Sequence, residues 1–152
     1  MKVVVLGCGR VGSQLSMSLS NAGHEVSVID KDREAFERLG HSFKGRKFVG
    51  LGIDEDVLRA AGLPEADAFV TVAYGDNTNV MAAQIATMKF KVPRVLCRMK
   101  DPSRARAYRD MGVYTFASTL LASGVIEDFI LGTPWQSVEH YLGLPEPTEE
   151  PG

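Results

Sequence analysis

The apolar run Val3-Val4-Val5-Leu6 ends in Gly7-Cys8-Gly9-Arg10-Val11-Gly12, and a helix-period pattern begins at the last of these glycines. A lone G-x-G-x-x-G says little, because glycine is common and the pattern is short. Here a second apolar strand follows, Glu25-Val26-Ser27-Val28-Ile29, and it ends in Asp30. That acid stands roughly 20 residues past the third glycine, the spacing at which a dinucleotide-binding βαβ unit places a carboxylate on a ribose hydroxyl. Each glycine then has a task. Gly7 permits the tight turn, Gly9 leaves the backbone open to a pyrophosphate, and Gly12 lets the helix lie close to the strand. The free N–H groups and positive dipole end of the helix favour the phosphate charge.

The remainder of the chain repeats this alternation of strand and helix. Lys2–Leu6 is the first strand, and a helix runs from about Val11 to Ala22 with Val11, Leu15, Leu19 and Ala22 on one face and Gly23 as its stop. After the second strand, Asp32 caps a short helix that buries Ala35, Phe36 and Leu39 and ends at Gly40. Lys47–Val49 is a third strand, and Asp54 opens a helix through Ala61 that Gly62 closes. Ala68–Ala73 is a fourth strand, and a helix from Asp76 to about Phe90 follows it. Arg94–Arg98 and Tyr114–Ala117 are the fifth and sixth strands, with a helix over Pro102–Met111 between them. Ser118 is placed to cap a last helix with Leu120, Leu121, Gly124, Val125, Ile126 and Phe129 as its apolar positions, and Gly124 is expected to allow the close approach of another backbone. From Leu144 the Pro- and Glu-rich sequence reads as a loose tail. The expected fold is therefore α/β: a single domain built on a Rossmann-like doubly wound parallel sheet of six strands. The nucleotide-binding part takes in 1–131, and 132–152 form a C-terminal extension.

Bulk properties narrow the function. The 152 residues suit one domain, and a net charge of −2 gives no general attraction to nucleic acid or anionic lipid. Met1-Lys2 leads directly into a strand, which leaves no room for a signal peptide. No uncharged apolar run reaches the roughly 18 residues of a membrane span; Val113 to Leu131 comes nearest and contains Glu127 and Asp128. Two cysteines, Cys8 and Cys97, suit a reducing compartment, so a cytoplasmic location is expected.

In an open doubly wound sheet the ligand lies outside the carboxyl ends of the strands. The candidate contacts are the glycine loop Gly7, Cys8, Gly9, Arg10, Val11 and Gly12, then Asp30 and Lys31 after the second strand. Gly52, Ile53 and Asp54 follow the third strand, Ala73, Tyr74, Asn77 and Asn79 the fourth, and Arg98 ends the fifth. Asp30 argues for a free 2′-hydroxyl and against a 2′-phosphate, which it would repel; Lys31 softens that argument. Arg10 is either a phosphate contact or a solvated surface arginine. Asp76, Thr78 and Asn79 are either helix caps or ligand contacts. Cys8, beside a helix N-terminus, is either a thiol of lowered pKa or a small buried side chain.

No catalytic apparatus is visible. His24, His41 and His140 all miss the carboxyl strand ends, and no Cys/His cluster has metal-ligand spacing. The expectation is a nucleotide-binding module that is not an enzyme. Its rivals are a small NAD-dependent oxidoreductase or epimerase-like enzyme and a stand-alone nucleotide sensor.

Several segments resemble the N-terminal nucleotide-binding domain of the RCK/KTN family, the cytoplasmic regulatory subunits of Trk- and Ktr-type potassium uptake systems and related channels. They are Gly7–Gly12, Val28–Asp32, Asp56–Leu63, Glu65–Ala68, Asp76–Asn79 and Arg94–Arg98, and the resemblance covers roughly 1–131. It implies NAD(H) or an adenine nucleotide (ATP, ADP or AMP) as ligand, with Arg10 on phosphate and Asp30 on ribose. It implies a membrane-embedded potassium transporter subunit as partner, and pairing through the late helix Ser118–Leu131 into a homodimer or larger ring. Two features depart from the family. Gly50-Leu51 stands where Gly-Asp is usual, and the family's C-terminal ligand domain is missing, as in a single-module version paired with a paralogous regulatory subunit.

Overall fold

Six parallel strands form one sheet in the order β3-β2-β1-β4-β5-β6: β1 is Lys2–Leu6, β2 Glu25–Asp30, β3 Arg46–Val49, β4 Ala68–Thr71, β5 Arg94–Met99 and β6 Thr115–Ala117. The computed structural model describes residues 1–145. The strand order reverses between β1 and β4, where the chain returns from the β3 edge to the middle of the sheet. Such a reversal parts the loops at the carboxyl ends and opens a crevice there. The doubly wound, Rossmann-like sheet expected from the alternating pattern is the one observed.

Helices cover both faces. Val3, Val5, Val26 and Val28 face α1 (Arg10–Asn21) and a 3₁₀ stretch, Arg33–Leu39, that buries Ala35, Phe36 and Leu39. Val4, Leu6, Ile29 and Phe69 face α2 (Glu55–Ala60) and α3 (Asp76–Gln84), which continues as a π-helical turn over Ile85–Lys89. Beyond β5, α4 (Pro102–Asp110) packs Ala105 against Cys97, Met99 and Val113. These central strands are apolar on both sides because both sides are covered.

Four local readings need correction. Of the expected apolar face of α1, Leu15 and Leu19 pack against the core, but Val11 and Ala22 are exposed and the fully buried positions are Gly12, Ser13, Ser16 and Ser20. Gly12 sits so close to the Gly7 carbonyl that a Cβ there would overlap it, and at such an approach only small side chains fit beneath the helix. β4 ends at Thr71, short of Ala73, because the Ala73 amide turns to the Asn79 side chain. Ser118 does not cap α5 (Ser118–Leu131): the capping position is Ala117, and Ser118 Oγ instead accepts the Nε–H of Arg98 across 3.0 Å.

The fourth correction concerns the extension. It folds into α6 (Val138–Leu142), capped by Ser137, with Leu142 buried and Leu144 packed beside it. The ring of Tyr141 occupies the space above Gly124, so the gap expected to receive another backbone is filled by this chain itself. Tyr141 Oη and Thr133 Oγ1 each donate to a different oxygen of the Asp128 carboxylate at 2.7 Å. Most of the tail expected after Leu144 lies outside the described residues. None of the α5 residues is fully buried, and Ile126, Phe129, Ile130 and Leu131 project from it, with Phe129 77% exposed. Among the described residues no helix is long and apolar enough to cross a membrane.

Candidate functional site

At the reversal point, the carboxyl ends of β1, β2, β3 and β4 enclose a cleft of about 310 Å³. Leu6 and Gly7 contribute from β1, Asp30 and Lys31 from β2, residues 50–53 from the loop after β3, and Ala73, Tyr74, Gly75 and Thr78 from the β4–α3 turn. The β1–α1 turn is held by its glycines. Gly7 has φ of +104°, and its Cα passes so close to β4 that a Cβ would stand 2.6 Å from the Ala73 nitrogen. Gly9, by contrast, is exposed and faces empty space, with nothing within 4 Å of where a Cβ would be. That opening lies at the N-terminus of α1, whose first amides have no side-chain cap. An anion fits there.

Asp30 anchors the floor of the cleft. Its Oδ2 accepts the Cys8 amide at 2.7 Å and its Oδ1 the Asp32 amide at 2.9 Å. One carboxylate thus ties the glycine loop to the end of β2, and its remaining lone pairs are free to accept a hydroxyl. Cys8 itself is buried. Loss of solvation, reinforced by Asp30, pushes its thiol up to about 11, which makes it a packing residue and disposes of a lowered pKa at the helix end.

Of the candidate contacts, Gly7, Asp30, Lys31, Gly52, Ile53, Ala73 and Tyr74 line this cleft together. Gly9, Arg10 and Val11 stand exposed where α1 begins, and Gly12 is buried behind them. The other four point elsewhere. Asp54 caps α2 by accepting the Asp56 amide at 2.9 Å. Asn77 accepts from Arg104 of α4 at 2.6 Å. Asn79 is 1% exposed and spends its amide on backbone: Oδ1 accepts from the Ala73 amide, and Nδ2 donates to the Ala73 and Arg98 carbonyls. Arg98 lies on β5, outside the cleft lining, bonded to Ser118. Asp76 also binds inward, accepting the Lys100 and Asp101 amides. The D-N-T-N segment is therefore mostly a fastener from α3 to β5, the turn after it and α4, and only Thr78 reaches the cleft.

Thr78, read as either a cap or a contact, lines the cleft, and Leu6, Gly50, Leu51 and Gly75 complete the lining without having been candidate contacts. Their positions at or next to strand ends were the available signal. Lys100 had none: its ammonium lies over the Tyr74 ring, 3.5 Å from the centroid, and places a cation at the cleft rim. A larger hollow of about 640 Å³ lies at the opposite, amino ends of β1 and β2, between Lys2, His24, Lys44, Arg46 and the C-terminal end of α2. A helix C-terminus presents carbonyls and the negative dipole end, so the smaller cleft is the better anion site despite the nearby cations.

The TrkA-N domain family matches residues 3–119, which include the whole cleft and all six strands but for Lys2. The chain belongs to the TrkA-N domain family. Among its relatives, the Trk system potassium uptake protein TrkA of Streptomyces coelicolor is 49% identical over 118 residues, which are 78% of this chain and 53% of the relative. This TrkA-N domain thus spans about half the length of that protein. Solved structures share the fold. The Kef CTD of Shewanella denitrificans in AMP-bound form superposes with a TM-score of 0.73 at 21% identity, over 93% of this chain and 86% of that one. The GsuK channel bound to NAD gives 0.67 at 16% identity, over 79% of this chain and 22% of that one.

Proposed function

We propose that this chain is the nucleotide-sensing module of a non-enzymatic regulatory subunit of a potassium uptake system, and that it binds NAD(H) or an adenine nucleotide in the cleft at the β1–β4 switch point. The observation that carries the reading is the Asp30 carboxylate. It is hydrogen-bonded to the glycine loop while lining the cleft, so one group couples the ribose position to the phosphate position. A ribose hydroxyl donates to Asp30, the phosphates lie over Gly9 and the N-terminus of α1, and Arg10 and Lys100 supply cations beside them. A TrkA-N relative named for potassium uptake, a Kef CTD that holds AMP and a GsuK channel that holds NAD support this assignment.

The polar side chains in the cleft are Asp30, Lys31, Tyr74 and Thr78, a set suited to holding a nucleotide more than to moving protons through a reaction. The protein works by difference in binding. Two nucleotides that favour two conformations to different degrees shift the balance between them, and the transporter at the inner face of the membrane reads the shift. The exposed face of α5 is the element through which copies pair.

Calorimetry with NAD, NADH, AMP, ADP and ATP tests the reading. One-site binding of at least one of them, abolished by Gly9→Val, is the expected result. Absence of binding by all five at millimolar ligand would overturn the nucleotide assignment. Steady loss of NADH absorbance with a carbonyl acceptor would overturn the non-enzymatic one.

A further inference from the structure

The cleft is chemically lopsided. Phosphate and ribose positions are marked by the α1 N-terminus and Asp30, so a base attached to that ribose extends past β2 toward the β3 loop, the next strand end outward. There the lining is Gly50-Leu51-Gly52-Ile53, with Leu6 beneath. Leu51 is 57% exposed and Ile53 39%, so apolar surface lies uncovered at this end. Gly52 lets the loop lie directly on Leu6, whose side chain a Cβ would overlap. The nearest carboxylate in the loop, Asp54, is not available to a base edge, because it caps α2. Lys31 is a donor only and would favour a 6-oxo over a 6-amino group, but it is exposed on a flexible stem where such a contact is worth little.

We infer that the β3 end of the cleft holds a purine by apolar contact alone, with no side chain reading its 6-position, so that adenine and hypoxanthine nucleotides are accepted nearly equally. A site rejects an analogue strongly when the analogue leaves a buried polar group of the site unpaired, and an apolar wall has no such group to strand. Leu51 is the specificity-determining position. A carboxylate there would accept from a 6-amino group and repel a 6-oxo group. The inference rests on the nucleotide-binding reading above.

The test titrates the whole chain with AMP and with IMP, which differ at the 6-position and the adjoining ring proton. In the wild type the two dissociation constants should agree within about threefold, and Leu51→Asp should raise the preference for AMP to about tenfold or more. Leu51 is exposed, so the substitution should leave far-ultraviolet circular dichroism unchanged; if the variant does not fold, the wild-type ratio alone decides. A wild-type preference for AMP of tenfold or more overturns the inference while the nucleotide-binding reading stands. An unchanged ratio in a folded Leu51→Asp variant overturns it as well. Binding of neither nucleotide nor of NAD, NADH, ADP or ATP removes the reading itself, and the inference falls with it.

Discussion

The Cys8 amide donates to Asp30 Oδ2 across 2.7 Å, which fastens the turn after β1 to the end of β2 at the floor of the cleft. The carboxylate does not stand free, waiting for a ribose. It shapes the loop that the phosphate would meet, and its other oxygen holds the Asp32 amide at the start of the next turn. On the proposed function, ligand recognition and loop geometry therefore share one side chain.

That sharing changes what Asp30→Ala should do. From the ribose contact alone, the variant would lose about 1.5–3 kcal/mol of nucleotide affinity and keep its stability. Two backbone amides would also lose their acceptor, so chemical denaturation should register a further loss of about 1–2 kcal/mol. Asp30→Asn retains oxygen acceptance and should fall between. Wild-type affinity for every adenine nucleotide in Asp30→Ala would remove this residue from the site.

The glycines of the loop should separate cleanly into structural and functional ones. Gly9→Val places its side chain in open space and should fold normally while binding no nucleotide. Gly12→Ala drives a methyl group into the Gly7 carbonyl, with Val72 close by, and should cost about 3 kcal/mol or more. Thermal unfolding beside calorimetry distinguishes them. A stable Gly12→Ala variant would show that α1 can withdraw from the sheet.

Asn79 and Asn77 offer a paired comparison two residues apart. Asn79→Ala leaves the Ala73 amide and the Ala73 and Arg98 carbonyls without their partner in a buried setting, and should destabilise by about 2–4 kcal/mol. Asn77→Ala removes one exposed hydrogen bond to Arg104 and should lie within about 0.5 kcal/mol of wild type. Equal effects in urea denaturation would contradict the fastening role.

Cys8 predicts an alkaline loss of stability. Burial, with Asp30 adding to it, raises the thiol from 9.0 to about 11 in the folded protein. The folded state thus holds the proton longer than the unfolded one. This contribution is fully present below pH 9 and is lost as the pH rises through about 11. Cys8→Ala should flatten that part of the stability profile, and thiol reagents at pH 8 should label Cys8 only when the chain unfolds.

The apolar face of α5 should pair with its own copy. Ile126→Asp with Phe129→Asp changes two exposed positions and should yield a smaller species by light scattering than the wild type, which is expected as a dimer or a multiple of it. A wild-type mass of one chain at tens of micromolar would sink this expectation.

Periodicity and punctuation were enough to read six strands, their order of appearance and the glycine turn, because those signals are local. Apolar runs need cover on both faces, and a G-x-G-x-x-G after such a run has few conformations open to it. The same local signals placed Asp32 as a cap, which bonds to the amide two residues on. What the sequence left undecided was the direction in which polar side chains are spent. Asn79, Asp76 and Asn77 stand at a carboxyl strand end like true ligand contacts, yet β5 and α4 lie close enough to claim them, and an unbonded buried amide would be costly. Lys100 reached the cleft rim across the Tyr74 ring for the converse reason, from a segment with no motif of its own. The serine face of α1 and the docking of Tyr141 over Gly124 were likewise decided by how near two backbones come. Nearness between segments distant in sequence is set by packing the whole sheet, and no window of neighbouring residues contains it.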